Sequence, residues 1–278
     1  MPTTLDDILN SARTGRAIVM GVLNVTPDSF SDGGAFFMSH HALDHARRMI
    51  EEGADALDIG AESTRPGSAR VSADDQIARL RDVLPAVCRL DIPVSIDTTL
   101  APVAAFALNA GAVLVNDVSA GRDDPALLPL VVQHAAGVCL MHMHGEPKTM
   151  QHAPKYADVV AEVVRFLSER LDAAFAAGVP RHRCILDPGI GFGKRLEHNL
   201  ALLAGVGKLA ALGRPVLIGA SRKRFLGDLS GVSDPAARVP GTIAACLAAR
   251  RRGATIFRVH DVSAVVQALK VADAIERA

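Results

Sequence analysis

Four short apolar runs of this chain each lead into a residue able to hydrogen-bond a ligand. Asp97 follows Val94-Ser-Ile96, Asn116 follows Val113-Leu-Val115, Asp187 follows Cys184-Ile-Leu186, and Lys223 stands five residues after Ile218. A carboxylate such as Asp187 can accept two parallel N–H bonds. Asn116 can both donate and accept, and Lys223 can donate to a carbonyl. Together they suit the amino–imine–carbonyl edge of a planar heterocycle. In a dry setting such charge-assisted bonds are strong, and leaving one unmade is costly. A second set, Asn24, Arg65, Arg258 and His260, is basic and amide-rich and suits a phosphate or diphosphate. Asn24 and Asp32 offer oxygen ligands of the kind Mg2+ takes, usually beside several waters. A heterocycle bearing a phosphate leaving group would meet both sets.

Each residue also has a plainer reading. Asp58 lies inside an apolar run and reads equally as an interior hydrogen-bonding group. Asp97 opens Asp-Thr-Thr, a start signal for a helix, and Asp187 precedes Pro188, a turn context. Asp117 and Asp261 read as caps. His142-x-His144 has the same-face spacing of a zinc site, but neighbouring runs end in Asp187 and Lys223 rather than in further imidazoles. Gly189-Ile-Gly-Phe-Gly-Lys194 resembles a phosphate loop, yet Pro188 precedes it and Arg195 stands where that loop needs Ser or Thr. Cys88, Cys139, Cys184 and Cys246 form no C-x-x-C pair and read as reduced, mostly buried thiols of a cytoplasmic protein.

The elements that must carry these groups alternate. Apolar runs near Val19–Val25, Ala56–Gly60, Val94–Ile96, Val113–Val115, Val138–Met141, Cys184–Leu186, Val216–Ile218 and Ile256–Val259 read as strands. Most are followed by stretches with apolar residues at three- and four-residue steps, as in His41–Glu52, Ala73–Arg89, Tyr156–Ala177 and Asp261–Arg277. Gly53, Gly111, Gly178, Gly213 and Gly253 stand where helix C-caps are expected. Eight strand–helix units in 278 residues predict an α/β fold, a single (β/α)8 TIM barrel spanning 1–278. An open doubly wound sheet is the alternative. Long loops follow the first strand (Thr26 to His40) and the second (Glu62 to Val71). Chemistry on such a barrel belongs at the C-terminal ends of the strands, where every one of these runs turns polar.

Composition narrows the classes. Lys+Arg and Asp+Glu are both 30, so the formal charge is zero, which argues against a nucleic-acid or anionic-membrane binder. Hydrophobic residues make up 49% and charged ones 22%, a globular balance, and no apolar run reaches the ~18 residues of a membrane span. Met1 to Arg16 is polar and mixed in charge, unlike a secretory signal.

The residues in their order resemble one family. Gly21-Val-Leu-Asn-Val-Thr-Pro-Asp-Ser-Phe-Ser-Asp-Gly-Gly34 and Asp58-Ile-Gly-Ala-Glu-Ser-Thr-Arg-Pro-Gly67 are long and specific. Ser95-Ile-Asp-Thr98, Val115-Asn-Asp-Val-Ser119, Met141-His-Met143, Leu186-Asp-Pro-Gly-Ile-Gly-Phe-Gly193, Gly219-Ala-Ser-Arg-Lys223 and Arg258-Val-His-Asp-Val262 follow in sequence. This pattern resembles the dihydropteroate synthase family of pterin-binding barrels. The resemblance implies condensation of 6-hydroxymethyl-7,8-dihydropterin diphosphate with p-aminobenzoate, with Mg2+, in a homodimer that sulfonamides would inhibit by competition.

By that resemblance Asp97, Asn116, Asp187, Lys223, Met141, Phe192 and Gly219 would hold the pterin. Asn24, Arg65, Arg258 and His260 would hold pyrophosphate, with Asn24 and Asp32 on the metal. Phe30, Thr64, Arg65, Pro66, Phe192, Lys223 and Arg224 would form the p-aminobenzoate site. Asp97, Lys223, Arg258, His260 and Asp32 would be the catalytic set. Two positions depart from the family pattern: His144 stands where many members have Gln, and Arg224 where many have Ser. Arg224 either meets the p-aminobenzoate carboxylate or points to solvent. A pterin binder without turnover and a folate-binding methyltransferase of the same barrel class remain as alternatives.

Overall fold

Near-continuous apolar strands need cover on their outer face, and the helices between them supply it. The computed structural model describes residues 4–26, 35–63, 67–145, 149–150 and 154–278, with 35–39 traced by backbone alone. The strands are β1 (Ile18–Asn24), β2 (Ala56–Gly60), β3 (Val94–Asp97), β4 (Leu114–Asp117), β5 (Gly137–Met141), β6 (Cys184–Asp187), β7 (Leu217–Ile218) and β8 (Ile256–Val259). All pair in parallel, in the order β6-β5-β4-β3-β2-β1-β8-β7. The two edges meet through a Leu186–Val216 bridge, with Leu186 N–H donating to Pro215 O at 3.0 Å. Sequential order with joined edges is the (β/α)8 barrel and excludes the open sheet.

Two cores follow from period-two alternation. Outward residues such as Leu57, Ile59, Val94, Ile96, Val138 and Phe257 pack under the helices. Inward residues Ile18, Met20, Ala56, Leu114, Cys139, Ile185, Leu217 and Ile256 form a separate apolar layer low in the barrel. Leu5, Ile8, Leu9 and Ala12 of α1 (Leu5–Arg13) complete that layer and plug the N-terminal end. Thr4 starts α1 with a capping box: its Oγ1 accepts from Asp7 N–H, and Asp7 Oδ2 accepts from Thr4 N–H, each at 3.1 Å.

Helix boundaries refine the sequence reading. The helix after β1, α2 (Ala35–Glu51), begins six residues before His41, so the first loop is shorter than expected. Ala73–Arg89 divides into α3 (Ala73–Leu80) and α4 (Val83–Cys88). Pro85 explains the break: it has no N–H for the Arg81 carbonyl four residues back, and its ring crowds that carbonyl. Then come α5 (Ala101–Asn109), α6 (Leu127–Gln133) and α7 (Val159–Ala176), the last capped by Asp158, whose Oδ1 accepts from Val160 and Ala161 N–H. The final set is α8 (Leu196–Ala204), α9 (Val206–Ala210), α10 (Arg224–Ser230), α11 (Val239–Arg250) and α12 (Val262–Arg277). The five C-cap glycines all have positive φ, from 73° at Gly213 to 112° at Gly111.

Candidate active site

Asn24, Asp58, Asp97, Asn116, Asp187 and Arg258 lie within the strands, at or near their C-terminal ends, whereas Lys223 and His260 follow β7 and β8. Parallel pairing carries β3, β4 and β6 through Asp97, Asp117 and Asp187, and the register sets Asn24 beside Gly60, Gly60 beside Asp97, and Asp97 beside Asn116. Met141 pairs with Asp187 on the other side. These are the same alternate positions that, lower down, point the apolar layer inward. The barrel interior thus changes from apolar to polar toward its C-terminal mouth.

Arg258, on β8, is the centre of this layer. Its Nε donates to Asp58 Oδ2 at 2.5 Å and its Nη2 to Asp97 Oδ2 at 2.8 Å. Asn116 Nδ2 donates to the same Asp58 oxygen at 3.0 Å. Asp58 is therefore an interior organiser, and Asp97 is an ion-pair partner rather than a helix cap. Two further oxygens, Asp58 Oδ1 and Asn116 Oδ1, are buried with no hydrogen-bond partner among the described residues. Buried polar atoms seldom remain so, and a ligand with N–H donors would satisfy them. Burial, with Asp58 and Glu62 adding to it, pushes the Asp97 carboxyl above its ordinary range, against the pull of Arg258.

A second network surrounds Asp187. Its Oδ1 accepts from Gly189 N–H at 2.6 Å. Burial pushes its carboxyl up to about 6, although that bond, Lys223 and Lys194 all favour the charged form. Gly189 has φ 68°, and a Cβ there would fall 2.0 Å from His142 O, so only glycine lets the β6 loop pass this close to β5. Phe192 lies on this loop with Met141, Met143, Met150 and Val118, a small apolar cluster at the mouth. Lys223 Nζ stands 4.1 Å over the Phe192 ring. A Cβ built on Gly219 would meet no described residue within 4 Å, so among the described residues the barrel is open beside that backbone.

The β7 and β8 ends are tied together. Ser221 Oγ is 3.0 Å from His260 Nδ1 and accepts from His260 N–H at 3.2 Å. Burial, then Arg258 and Arg222, pushes the imidazole down to about 3, so it is neutral near pH 7. Arg222 adopts φ 59° and grips Asp261 in a bidentate pair of 3.0 and 2.6 Å. Asp261 thus makes this ion pair instead of the side-chain cap expected for it. Asp117 closes the turn after β4, accepting from Ser119 N–H and Oγ at 2.7 Å each. Arg224 begins α10 with its side chain 91% exposed, 3.6 Å from Asp228. His142 meets Lys194 and His144 packs edge-on to Tyr156, so the two imidazoles are taken up separately.

Asn24, Asp97, Asn116, Met141, Asp187, Phe192, Gly219, Lys223, Arg258 and His260 are thus grouped at one end of the barrel. Phe30, Asp32, Thr64, Arg65 and Pro66 lie outside the described residues. Sequence reasoning passed over three residues of this end: Lys194, Ser221 and Arg222. Lys194 was visible only as the tail of a failed phosphate-loop match.

A family model for pterin-binding enzymes matches residues 20–260. The dihydropteroate synthase of Synechocystis sp. is 48% identical over 263 residues, covering 94% of this chain and 91% of that one. The chain belongs to the dihydropteroate synthase family. Among solved dihydropteroate synthases, that of Xanthomonas albilineans with 4-aminobenzoic acid superposes with a TM-score of 0.89. It is 47% identical and covers 95% of this chain and 94% of that one. The Yersinia pestis dihydropteroate synthase in a sulfonamide drug complex also gives 0.89, at 44% identity and 95% coverage of both chains. As a member of the dihydropteroate synthase family the protein is a transferase, and its barrel is that family's barrel.

Proposed function

We propose that this protein joins 6-hydroxymethyl-7,8-dihydropterin diphosphate to p-aminobenzoate, giving 7,8-dihydropteroate and pyrophosphate by a dissociative, SN1-like route. The observation that carries the residue assignment is the Asp97–Arg258 pair beside Asn116 Oδ1, which has no partner among the described residues. It joins a heterocycle-binding edge to a cation suited to a diphosphate. Asn116, Asp187, Lys223 and Asp97 hold the pterin edge, with Met141, Phe192 and Gly219 shaping its slot. Arg258, Asn24 and neutral His260 hold the diphosphate, together with Arg65.

Departure of pyrophosphate leaves a delocalised pterin cation. As the diphosphate draws on Arg258, the Asp97 carboxylate faces that cation with less of its own counter-charge, and stabilises it. The aniline nitrogen attacks with its own lone pair, so no strong base is required. Phe30, Thr64, Arg65, Pro66, Phe192, Lys223 and Arg224 form the p-aminobenzoate end, where sulfonamides compete.

Mg2+ suits the donors present. A Cβ built on Gly60 would lie 3.9 Å from Asn24 Oδ1 and 3.7 Å from Asp97 Oδ2, so two hard oxygens face one space at the mouth. Asn24 and Asp32 are the residues that would hold the ion, which when bound neutralises charge on the leaving group. Exposed Leu229, Val271 and Ile275 on α10 and α12, flanking α11, support a homodimer through the late outer helices. Four free cysteines, three of them buried, support a cytoplasmic setting. The barrel is read as one domain over 1–278.

The test is pyrophosphate release from the dihydropterin diphosphate, with and without p-aminobenzoate and Mg2+. Release that requires both, with dihydropteroate formed, is expected. Pterin binding without release would replace the synthase with a non-catalytic binder.

A further inference from the structure

Lys194 is 3% exposed and lies within the barrel's C-terminal end, yet no part of the chemistry above uses it. Its ammonium donates to His142 O at 3.2 Å, to Phe192 O at 2.9 Å and to His142 Nδ1 at 3.0 Å. The last bond is available because His142 is neutral. Burial, followed by Lys194 and Arg122, pushes that imidazole down to about 2. These three bonds use all three ammonium protons and tie the end of β5 to the β6 loop. The tie has a visible consequence: Phe192, whose carbonyl is held, is the ring under Lys223 Nζ.

A buried ammonium is expensive, and a structural brace between two carbonyls needs no charge. Something nearby must favour the cation. Asp187 is that group: it opposes the burial that pushes Lys194 down to about 7, and Lys194 in turn helps keep Asp187 ionised. The charged and titratable groups around this pair are Lys223 after β7, Arg258 on β8, His142 after β5 and the Cys139 thiol on β5.

We propose that Lys194 is a positioning residue for the pterin end of the site: it fixes Phe192 beneath Lys223 and supplies a buried cation that keeps Asp187 ready to accept the pterin N–H groups. The proposal rests on the synthase reading above and adds to it a residue that touches no substrate.

Lys194→Gln and Lys194→Arg test it. Gln retains N–H donors without charge, and Arg retains both. Calorimetry with the dihydropterin diphosphate, and kcat and KM for both substrates, are measured from pH 5 to 8 with melting temperatures at each pH. For Lys194→Gln, pterin affinity is expected to fall about tenfold to a hundredfold at pH 6. The acid limb of its kcat/KM is expected to move up by about one pH unit. Lys194→Arg is expected to keep the acid limb in place.

An unmoved acid limb in Lys194→Gln, or affinity that falls only in step with melting temperature, would overturn the proposal. So would a displaced limb in Lys194→Arg, which carries the test alone if the Gln variant does not fold. Failure of the unsubstituted protein to bind or turn over the diphosphate would instead defeat the synthase reading.

Discussion

Asp97 joins the two halves of the chemistry, because the guanidinium it pairs with is also the cation suited to the diphosphate. Asp97→Asn keeps the shape and removes the charge. It is expected to lower kcat by about a hundredfold or more while changing pterin affinity only several-fold, as measured by single-turnover kinetics beside calorimetry. Equal losses in both would remove the cation-stabilising role. Gly219 offers the steric counterpart. Its missing Cβ has open space around it among the described residues, so Gly219→Val should fold with stability within about 0.5 kcal/mol of the original and yet block the pterin. Arg224, exposed and 3.6 Å from Asp228, separates its two readings in one measurement. Arg224→Ala should raise KM for p-aminobenzoate several-fold without moving the melting temperature, and an unchanged KM would assign the side chain to solvent.

The elements divide stability from chemistry along the barrel axis. α1 seals the N-terminal end with Leu9, which is 1% exposed against the low apolar layer. Leu9→Ala is expected to cost about 2–5 kcal/mol in denaturant unfolding. Both KM values should remain unchanged, because the polar layer lies at the opposite end. At that end the loops are bound to one another as well as to the core, which takes in Ile190 and Ala220. Gly189 lets the β6 loop cross β5, and Arg222–Asp261 holds the β7 loop to the β8 loop. The N-terminal helix escaped the sequence reading although Leu5, Ile8, Leu9 and Ala12 stand at helical spacing behind the Thr4 capping box, because the barrel floor that their face covers exists only in the closed fold. The division of Ala73–Arg89, by contrast, was already written in Pro85.

The whole molecule buries charged groups of both kinds, and their effects on stability oppose one another. His142 and His260 are pushed down to about 2 and about 3, so between there and pH 6.5 the unfolded chain binds more protons at these sites, and stability falls as pH falls. Asp187, pushed up to about 6, and Asp97, pushed the same way, bind protons more readily in the folded state, so between about pH 4 and 6 they resist that loss. Stability should therefore change little over this window. Asp187→Asn removes one of the compensating carboxylates. Its unfolding free energy should fall more steeply from pH 6 to 4 than that of the original protein, by up to about 1 kcal/mol per pH unit in urea titrations at fixed ionic strength. A parallel pH dependence would show that Asp187 is not the group that takes up the proton.

The amino-acid sequence by itself determined the wall of this protein and the inward direction of its polar groups. Alternation is a local property of extended chain, so Asp58, Asp97, Asn116 and Asp187 could be placed along their strands before any fold was known, and the glycine caps could be placed after the helices. It did not determine which charges meet. Arg258 lies 200 residues from Asp58 and 161 from Asp97, and Lys194 lies 52 from His142. Those pairings exist because closing the sheet brings β8 beside β1 and its inward side chains across to β2 and β3. The β6 loop likewise returns over β5. Period and propensity describe neighbours along the chain, whereas burial and Coulomb forces act between whichever groups the closed barrel brings within a few ångströms.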